Sequence, residues 1–253
     1  MSGHSKWSTI KHKKAALDAK KGAVFTKLAR EIAVATRQGA SGDPGMNYRL
    51  RLAMYKARQA NMPTDNVQRA VKQGLGTGSD GVVFEEAIYE GYGPGGAAIM
   101  LKALTDNRKR TAAEVRAAFS RGGGSLAEVG SVAWIFDSRA FVTVEDVDRE
   151  KADEVALAAI DAGAEDFNVE DGALEITGPP AALEAITEVV KQAGLEPAQA
   201  TVTMVPTTTV ELEAEAAGQT LRLLDRMEEV DDVQQVFTNA DFTDEALASY
   251  SAE

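Results

Sequence analysis

The chain of 253 residues contains no cysteine. Disulfides, thiolate metal sites and cysteine nucleophiles are excluded with it. Histidine is almost as scarce. His4 and His12 are the two in the chain, and their separation, with no cysteine nearby, matches no metal-ligand spacing. No run of about 18 apolar residues exists, so nothing in the sequence reads as a membrane span. The opening Met1-Ser2-Gly3-His4-Ser5-Lys6-Trp7 lacks the apolar stretch of a signal peptide, and a cytoplasmic location is the expectation. Neither a Gly-x-Ser-x-Gly elbow nor a Walker loop occurs, and no cofactor or small-molecule motif stands out. The acid pairs Glu228/Glu229 and Asp231/Asp232 lie on polar segments and read as solvated faces rather than as a general acid and base. A carboxylate-metal site assembled from distant segments stays open at this point.

What is present is charge, unevenly placed. The whole chain carries 27 Lys+Arg and 39 Asp+Glu, a net −12. Residues 1–76 hold 15 basic against 4 acidic residues, a balance of +11. Residues 77–130 hold 6 against 7, or −1, and residues 131–253 hold 6 against 28, or −22. Such asymmetry between the ends of a chain points to nucleic acid or a membrane surface as partner of the basic part.

Hydrophobic periodicity divides the chain further. From Gly22 to Gly39 the residues Phe25, Leu28, Ile32 and Ala35 share one helical face. A second helix is expected from about Asn47 to Ala60, with Leu50, Ala53, Met54 and Ala57 inward. A third begins near Pro63, a residue suited to a first helical turn, and turns Val67, Ala70 and Val71 inward. The stretch Gly74-Leu75-Gly76-Thr77-Gly78-Ser79-Asp80-Gly81 reads as a glycine-rich linker.

Beyond it Phe84–Tyr92 and Ala97–Thr105 read as strands joined by Gly93-Pro94-Gly95-Gly96. A helix capped by Asp106 or Asn107 runs to Gly122, and Val132–Phe136 reads as a strand. Ala140–Glu145, Arg149–Ala162, Asp166–Glu170, Ala173–Thr177, Pro179–Ala193 and Ala198–Val205 then follow in the order β-α-β-β-α-β, the ferredoxin-like arrangement. Thr207–Leu212, Gly218–Glu229 and Val233–Thr238 read as strand, helix and strand, and Asp241–Glu253 as a frayed tail. The expected class is α+β: an N-terminal helical domain (1–76), a discontinuous α+β domain (82–136 plus 207–240), and a ferredoxin-like domain inserted into it (137–206).

The basic start is the strongest candidate site. Lys6, Lys11, Lys13, Lys14, Lys20 and Lys21 can attract phosphate, and Trp7 can stack on an exposed base. Few apolar residues anchor this arm, so ordering on binding is expected. A Lys-rich run can equally be a solvated arm with no partner. With Lys27, Arg30, Arg49, Arg51, Lys56, Arg58, Arg69 and Lys72 in the same module, nucleic-acid binding is the favoured reading. The second candidate is Asp106-Asn107-Arg108-Lys109-Arg110-Thr111. Three cations at a helix start oppose the macrodipole, and free amides beside guanidinium groups make a phosphate site. The alternative is an exposed first turn balanced by Asp106 and Glu114.

Several stretches together resemble the YebC/PmpR family. They are Met1–Lys14, Phe25-Thr26-Lys27-Leu28-Ala29-Arg30-Glu31-Ile32, Asn61-Met62-Pro63-Thr64-Asp65-Asn66, Glu90-Gly91-Tyr92-Gly93-Pro94-Gly95-Gly96, Thr105–Thr111 and Gly130-Ser131-Val132-Ala133-Trp134. The resemblance covers essentially the whole chain. It implies three domains, one interrupted by another, and no enzymatic activity. It implies a DNA-binding transcriptional regulator. Mitochondrial members look like translational activators of a cytochrome oxidase subunit, and some bacterial members like ribosome-associated factors that relieve stalling at proline runs. Since the chain starts at the motif, the bacterial form is expected. The expected partner is nucleic acid, either DNA or, alternatively, RNA and the ribosome, with no membrane, cofactor or metal.

Overall fold

The computed structural model describes residues 21–77, 82–170 and 172–251. They form an α+β protein that divides into two compact units. Among the described residues one is Trp134–Thr209; the other combines those from Lys21 to Ala133 with those from Val210 to Ser251.

The second of these units begins with three helices. α1 (Lys21–Gln38) buries Ile32 and Ala35, with Phe25 and Leu28 packed beside them. α2 (Tyr48–Gln59) adds Leu50, Ala53 and Ala57. Its cap is Asn47, a buried residue whose side-chain oxygen accepts from the Leu50 amide at 3.1 Å. The same side chain donates to the carbonyls of Ala35 and Ser41 at 2.8 and 3.1 Å, so one residue starts α2 and fastens it to the end of α1. α3 (Thr64–Gly74) contributes Ala70, and Pro63 occupies its N-cap rather than its first turn. Gly74, expected as the start of a linker, is the last residue of α3. A Cβ there would lie 2.4 Å from the Ala33 carbonyl oxygen and 2.6 Å from the Thr36 Cβ. The glycine permits close helix packing, not flexibility.

The same unit continues with β1 (Glu85–Tyr92) and β2 (Ala98–Thr105), paired antiparallel. A short 3-10 turn at Pro94–Gly96 joins them, with Gly95 and Gly96 at φ of 71° and 81°, which favours glycine. α4 (Arg108–Arg121) and β3 (Ser125–Leu126) follow. After the excursion through residues 134–209 come β8 (Val210–Glu211), α7 (Ala214–Glu228), β9 (Val233–Thr238), β10 (Ala240–Asp241) and α8 (Asp244–Ser251). The main sheet has the order β3-β1-β2-β9, and β8 pairs with β10 in parallel. Ile99, Leu101 and Val236 of the sheet share a buried core with Phe119 of α4 and Leu221 and Leu224 of α7.

The unit Trp134–Thr209 holds β4 (Phe136–Val144), α5 (Arg149–Asp161), β5 (Asp166–Glu170), β6 (Ala173–Gly178), α6 (Leu183–Gln192) and β7 (Gln199–Pro206). The sheet is antiparallel in the order β5-β6-β4-β7, the ferredoxin-like order for a β-α-β-β-α-β chain. Ala140, Val142, Val144, Leu174 and Ile176 form its core with Ala152, Ala156 and Ala159 of α5 and Ile186 and Val190 of α6.

Four local expectations are corrected. Residues 132–136 are not a strand: Val132 is buried, Ala133–Ile135 is a 3-10 turn, and β4 starts at Phe136. The strand expected over 207–212 shrinks to β8, because its partner β10 offers two residues. α7 starts at Ala214, four residues before Gly218, whose cost inside a helix is outweighed by the burial of Ala217 and Leu221 on either side. The tail is not frayed through 251. Phe242, Ala246 and Leu247 are buried in the main core, and the Tyr250 hydroxyl bonds the Asp225 carboxylate.

Candidate nucleic-acid interface

Lys6, Trp7, Lys11, Lys13, Lys14 and Lys20 lie outside the described residues, as does the side chain of Lys21. The other expected site residues fall into two groups that differ in what they face.

The first group is engaged within the protein. Arg30 reaches from α1 to Asp232, where its guanidinium lies 3.0 Å from the carboxylate. The same guanidinium donates to the Asp231 carbonyl. Lys27, one turn earlier, donates from Nζ to the Glu228 carbonyl at 2.7 Å. Arg110 approaches Asp232 from α4, with NH2 2.8 Å from Oδ2 and 2.7 Å from Asp106. Arg108 pairs with Glu85 at 2.9 Å and donates to the Glu86 carbonyl. Two of the three cations at the helix start expected to bind phosphate, Arg108 and Arg110, are therefore paired with carboxylates. Asn107 also caps that helix, accepting from the Arg110 amide at 3.1 Å.

Asp232 is the residue on which this group converges, and it is not the solvated acid expected. Its side chain is 2 % exposed. Besides the two arginines it accepts from the Thr111 hydroxyl at 2.6 Å and the Thr105 hydroxyl at 3.1 Å. Burial alone would raise its pKa. The hydrogen bonds from Thr111 and Arg110, with the charges of Arg30 and Arg110, outweigh burial and hold it below the ordinary carboxylate value. A buried carboxylate is tolerated only with such partners. Nothing in its sequence neighbourhood marks it, because its donors come from residues 30, 105, 110 and 111.

Beside Asp232 opens a cleft of about 800 Å³ between α1, α4 and the end of α7. Arg30, Arg110, Arg121 and Arg226 line it together with Asp106, Glu114, Glu229, Asp231 and Asp232. Four arginines face five carboxylates there, so the cleft has little net attraction for a polyanion. Among the described residues no group of three or more His, Asp or Glu could hold a metal ion, and no helix is long and apolar enough to cross a membrane.

A second buried carboxylate explains the Glu90-Gly91-Tyr92 stretch. Glu90 accepts from the backbone amides of Gly130 at 2.7 Å, Val132 at 2.7 Å and Ala133 at 2.8 Å. Burial pushes its pKa up, and the three amides push it further down, leaving it below its ordinary value. The Tyr92 hydroxyl donates to the Ser131 carbonyl at 3.1 Å. A Cβ on Gly91 would meet the Ser125 carbonyl oxygen at 2.4 Å and the Phe119 ring at 2.5 Å. These motif residues shape a loop.

The second group faces outward. Arg49 is exposed and lies 3.1 Å from the Glu86 carboxylate. Arg51 donates to the Pro44 carbonyl at 2.8 Å, and its guanidinium lies 5.5 Å from the centroid of the Tyr48 ring. Lys109 is exposed. Arg37, Arg58, Arg69 and Lys72 are also exposed and pair with no carboxylate among the described residues. Two residues that sequence reasoning passed over lie among them: Tyr48 and Tyr55, 60 % and 57 % exposed. Their signal was available, since a separation of seven places them on one helical face.

A family model described as the TACO1/YebC second and third domain matches residues 84–240, and one described as the TACO1/YebC N-terminal domain matches residues 5–77. The chain belongs to the TACO1/YebC family. A relative from Roseiflexus castenholzii is 50% identical over 252 residues, covering 99% of both chains. One from Moorella thermoacetica is 52% identical over 243 residues, covering 95% of this chain and 96% of its own. Both carry the name probable transcriptional regulatory protein, which supports a regulatory role for this TACO1/YebC chain. The crystal structure of the conserved hypothetical protein Aq1575 from Aquifex aeolicus is similar, with a TM-score of 0.78 and 41% identity over 90% of this chain and 93% of that one.

Proposed function

We propose that this TACO1/YebC protein is a non-enzymatic, cytoplasmic regulator of gene expression that binds nucleic acid through its basic helical module, with DNA in transcriptional control as its target. The observation that carries this reading is the outer surface of that module, where Arg37, Arg58, Arg69 and Lys72 stand exposed without a carboxylate partner among the described residues. Cations left unneutralised bind phosphate by releasing its counterions. The names of the relatives support transcription. So does α3, which follows α2 after residues 60–63 and exposes Gln68 and Arg69, side-chain types that contact base edges. The acidic remainder of the chain repels phosphate and restricts binding to the head.

A second reading, an RNA- or ribosome-binding translation factor, is favoured by the exposed rings of Tyr48 and Tyr55, since exposed aromatics suit unpaired bases. Crosslinking in cells followed by sequencing of both DNA and RNA tests the two. Discrete promoter fragments are the expected result. Enrichment of ribosomal RNA would replace transcription with translation. Recovery no greater than from a chain lacking residues 1–77 would overturn both.

A further inference from the structure

From the outer face of α2 we infer that it is a base-stacking platform for single-stranded RNA, built from Tyr48, Arg51, Tyr55 and Arg58. The inference rests on the second, RNA-binding reading above and adds which residues meet the ligand and in what form. These four residues recur at helical spacing on the side opposite the buried Leu50, Ala53 and Ala57. The two rings lie seven residues apart, about 10.5 Å along the helix axis. Both are more than half exposed. Leaving two aromatic faces in water forgoes apolar burial, and neither ring packs in the module's core.

Their surroundings hold them in place. The Arg51 guanidinium stands over the Tyr48 ring and is itself fastened to the Pro44 carbonyl. The Tyr55 hydroxyl accepts from Gln59 Nε2 at 2.9 Å. α2 contains no aspartate or glutamate, so its charge is purely cationic and complements a phosphate backbone. Cations alone would serve a duplex equally well. Exposed rings add affinity only where base faces are uncovered, and paired bases are covered by their neighbours in the stack. Unpaired RNA loops, bulges and ends present splayed bases that stack on aromatic side chains.

The test measures binding of the full chain to a fluorescein-labelled single-stranded RNA 12-mer and to duplex DNA of the same length, at one salt concentration. Replacing Tyr48→Ala and Tyr55→Ala is expected to weaken RNA binding about tenfold per ring, with duplex binding unchanged. Tyr48→Phe with Tyr55→Phe keeps both rings and is expected to keep the affinity. Both tyrosines are exposed, so the melting temperature should not move. If the alanine variants bind RNA as the parent does, or lose both probes equally, the platform is overturned while the nucleic-acid reading stands. If the parent chain binds neither probe, both fail. If the alanine variants change only the chain's own assembly, the face is a protein contact and the inference falls.

Discussion

Arg30 and Arg58 lie in neighbouring helices of one small module, and their surroundings differ sharply. The side chain of Arg30 is 14% exposed and is held against the buried Asp232. Arg58 stands in water on the outer face of α2, opposite Leu50, Ala53 and Ala57. In a count of charge they are equivalent, and both contribute to the balance of +11 over residues 1–76. In a folded protein they are not. A guanidinium whose NH1 group already meets a buried carboxylate and a backbone carbonyl has its charge compensated, and a phosphate would have to compete with that carboxylate. The basic head therefore contains one set of cations that fastens it to the rest of its unit and another that pairs with no carboxylate among the described residues.

The comparison can be broken most forcefully at Asp232. Asp232→Ala removes the acceptor shared by Arg30, Arg110, Thr105 and Thr111, leaving the largely buried Arg30 without its carboxylate and the buried Thr105 hydroxyl without its acceptor. A loss of roughly 3–5 kcal/mol is expected, measured by urea unfolding of the whole chain. A loss below about 1 kcal/mol would show that the convergence contributes little.

Glu90→Gln comes next. One or two of the three amides from Gly130, Val132 and Ala133 would face an NH2 group in place of an oxygen, at an expected cost of about 1–3 kcal/mol near neutral pH. The pH dependence has a definite sign. Glu90 and Asp232 both titrate below their ordinary values of 4.5 and 3.8, so the folded state holds fewer protons than the unfolded one. Their contribution is complete above those ordinary values and is lost as pH falls through the lower folded ones. Denaturation midpoints should decline below about pH 4.5, and less steeply in Glu90→Gln. An identical acid profile in parent and variant would contradict the role given to Glu90.

The smallest effect sharpens the comparison itself. Arg30→Ala is expected to cost about 1–2 kcal/mol, and Arg58→Ala less than about 0.5 kcal/mol. Arg58→Ala should instead reduce the salt dependence of nucleic-acid binding by about one phosphate. Equal stability losses at the two positions would erase the distinction.

Much of this architecture is legible in the sequence. Val233–Thr238 and Asp166–Glu170 are strands where alternation and turn residues placed them, and Leu50, Ala53 and Ala57 are buried as helical spacing required. The failures share a physical origin. The tail of the chain looked polar and terminal, but Phe242, Ala246 and Leu247 complete a core built by residues far earlier in the chain. Gly74 looked like the start of a linker because its close neighbours, Ala33 and Thr36, are some forty residues away. Asp232 looked like surface because its donors are up to two hundred residues distant. The candidate interface is half legible for the same reason. Basic residues can be counted in a sequence, but which of them a carboxylate has claimed depends on the fold. Tyr48 and Tyr55 are the opposite case, since their pattern is local.

The unit Trp134–Thr209 interrupts the strands of its neighbour, yet its two ends are adjacent. Phe136 pairs with Pro206, and the Thr207 amide donates to the Ile135 carbonyl at 2.8 Å. Once that unit has folded, the chain leaves and returns at one place. For the pairing of β2 with β9, in which Met100 lies opposite Phe237, the effective loop is then far shorter than the number of residues between them. The entropy of closing a loop grows with the logarithm of its length, so an inserted segment that ties its own ends together relieves its host of part of that cost, on the order of 1 kcal/mol.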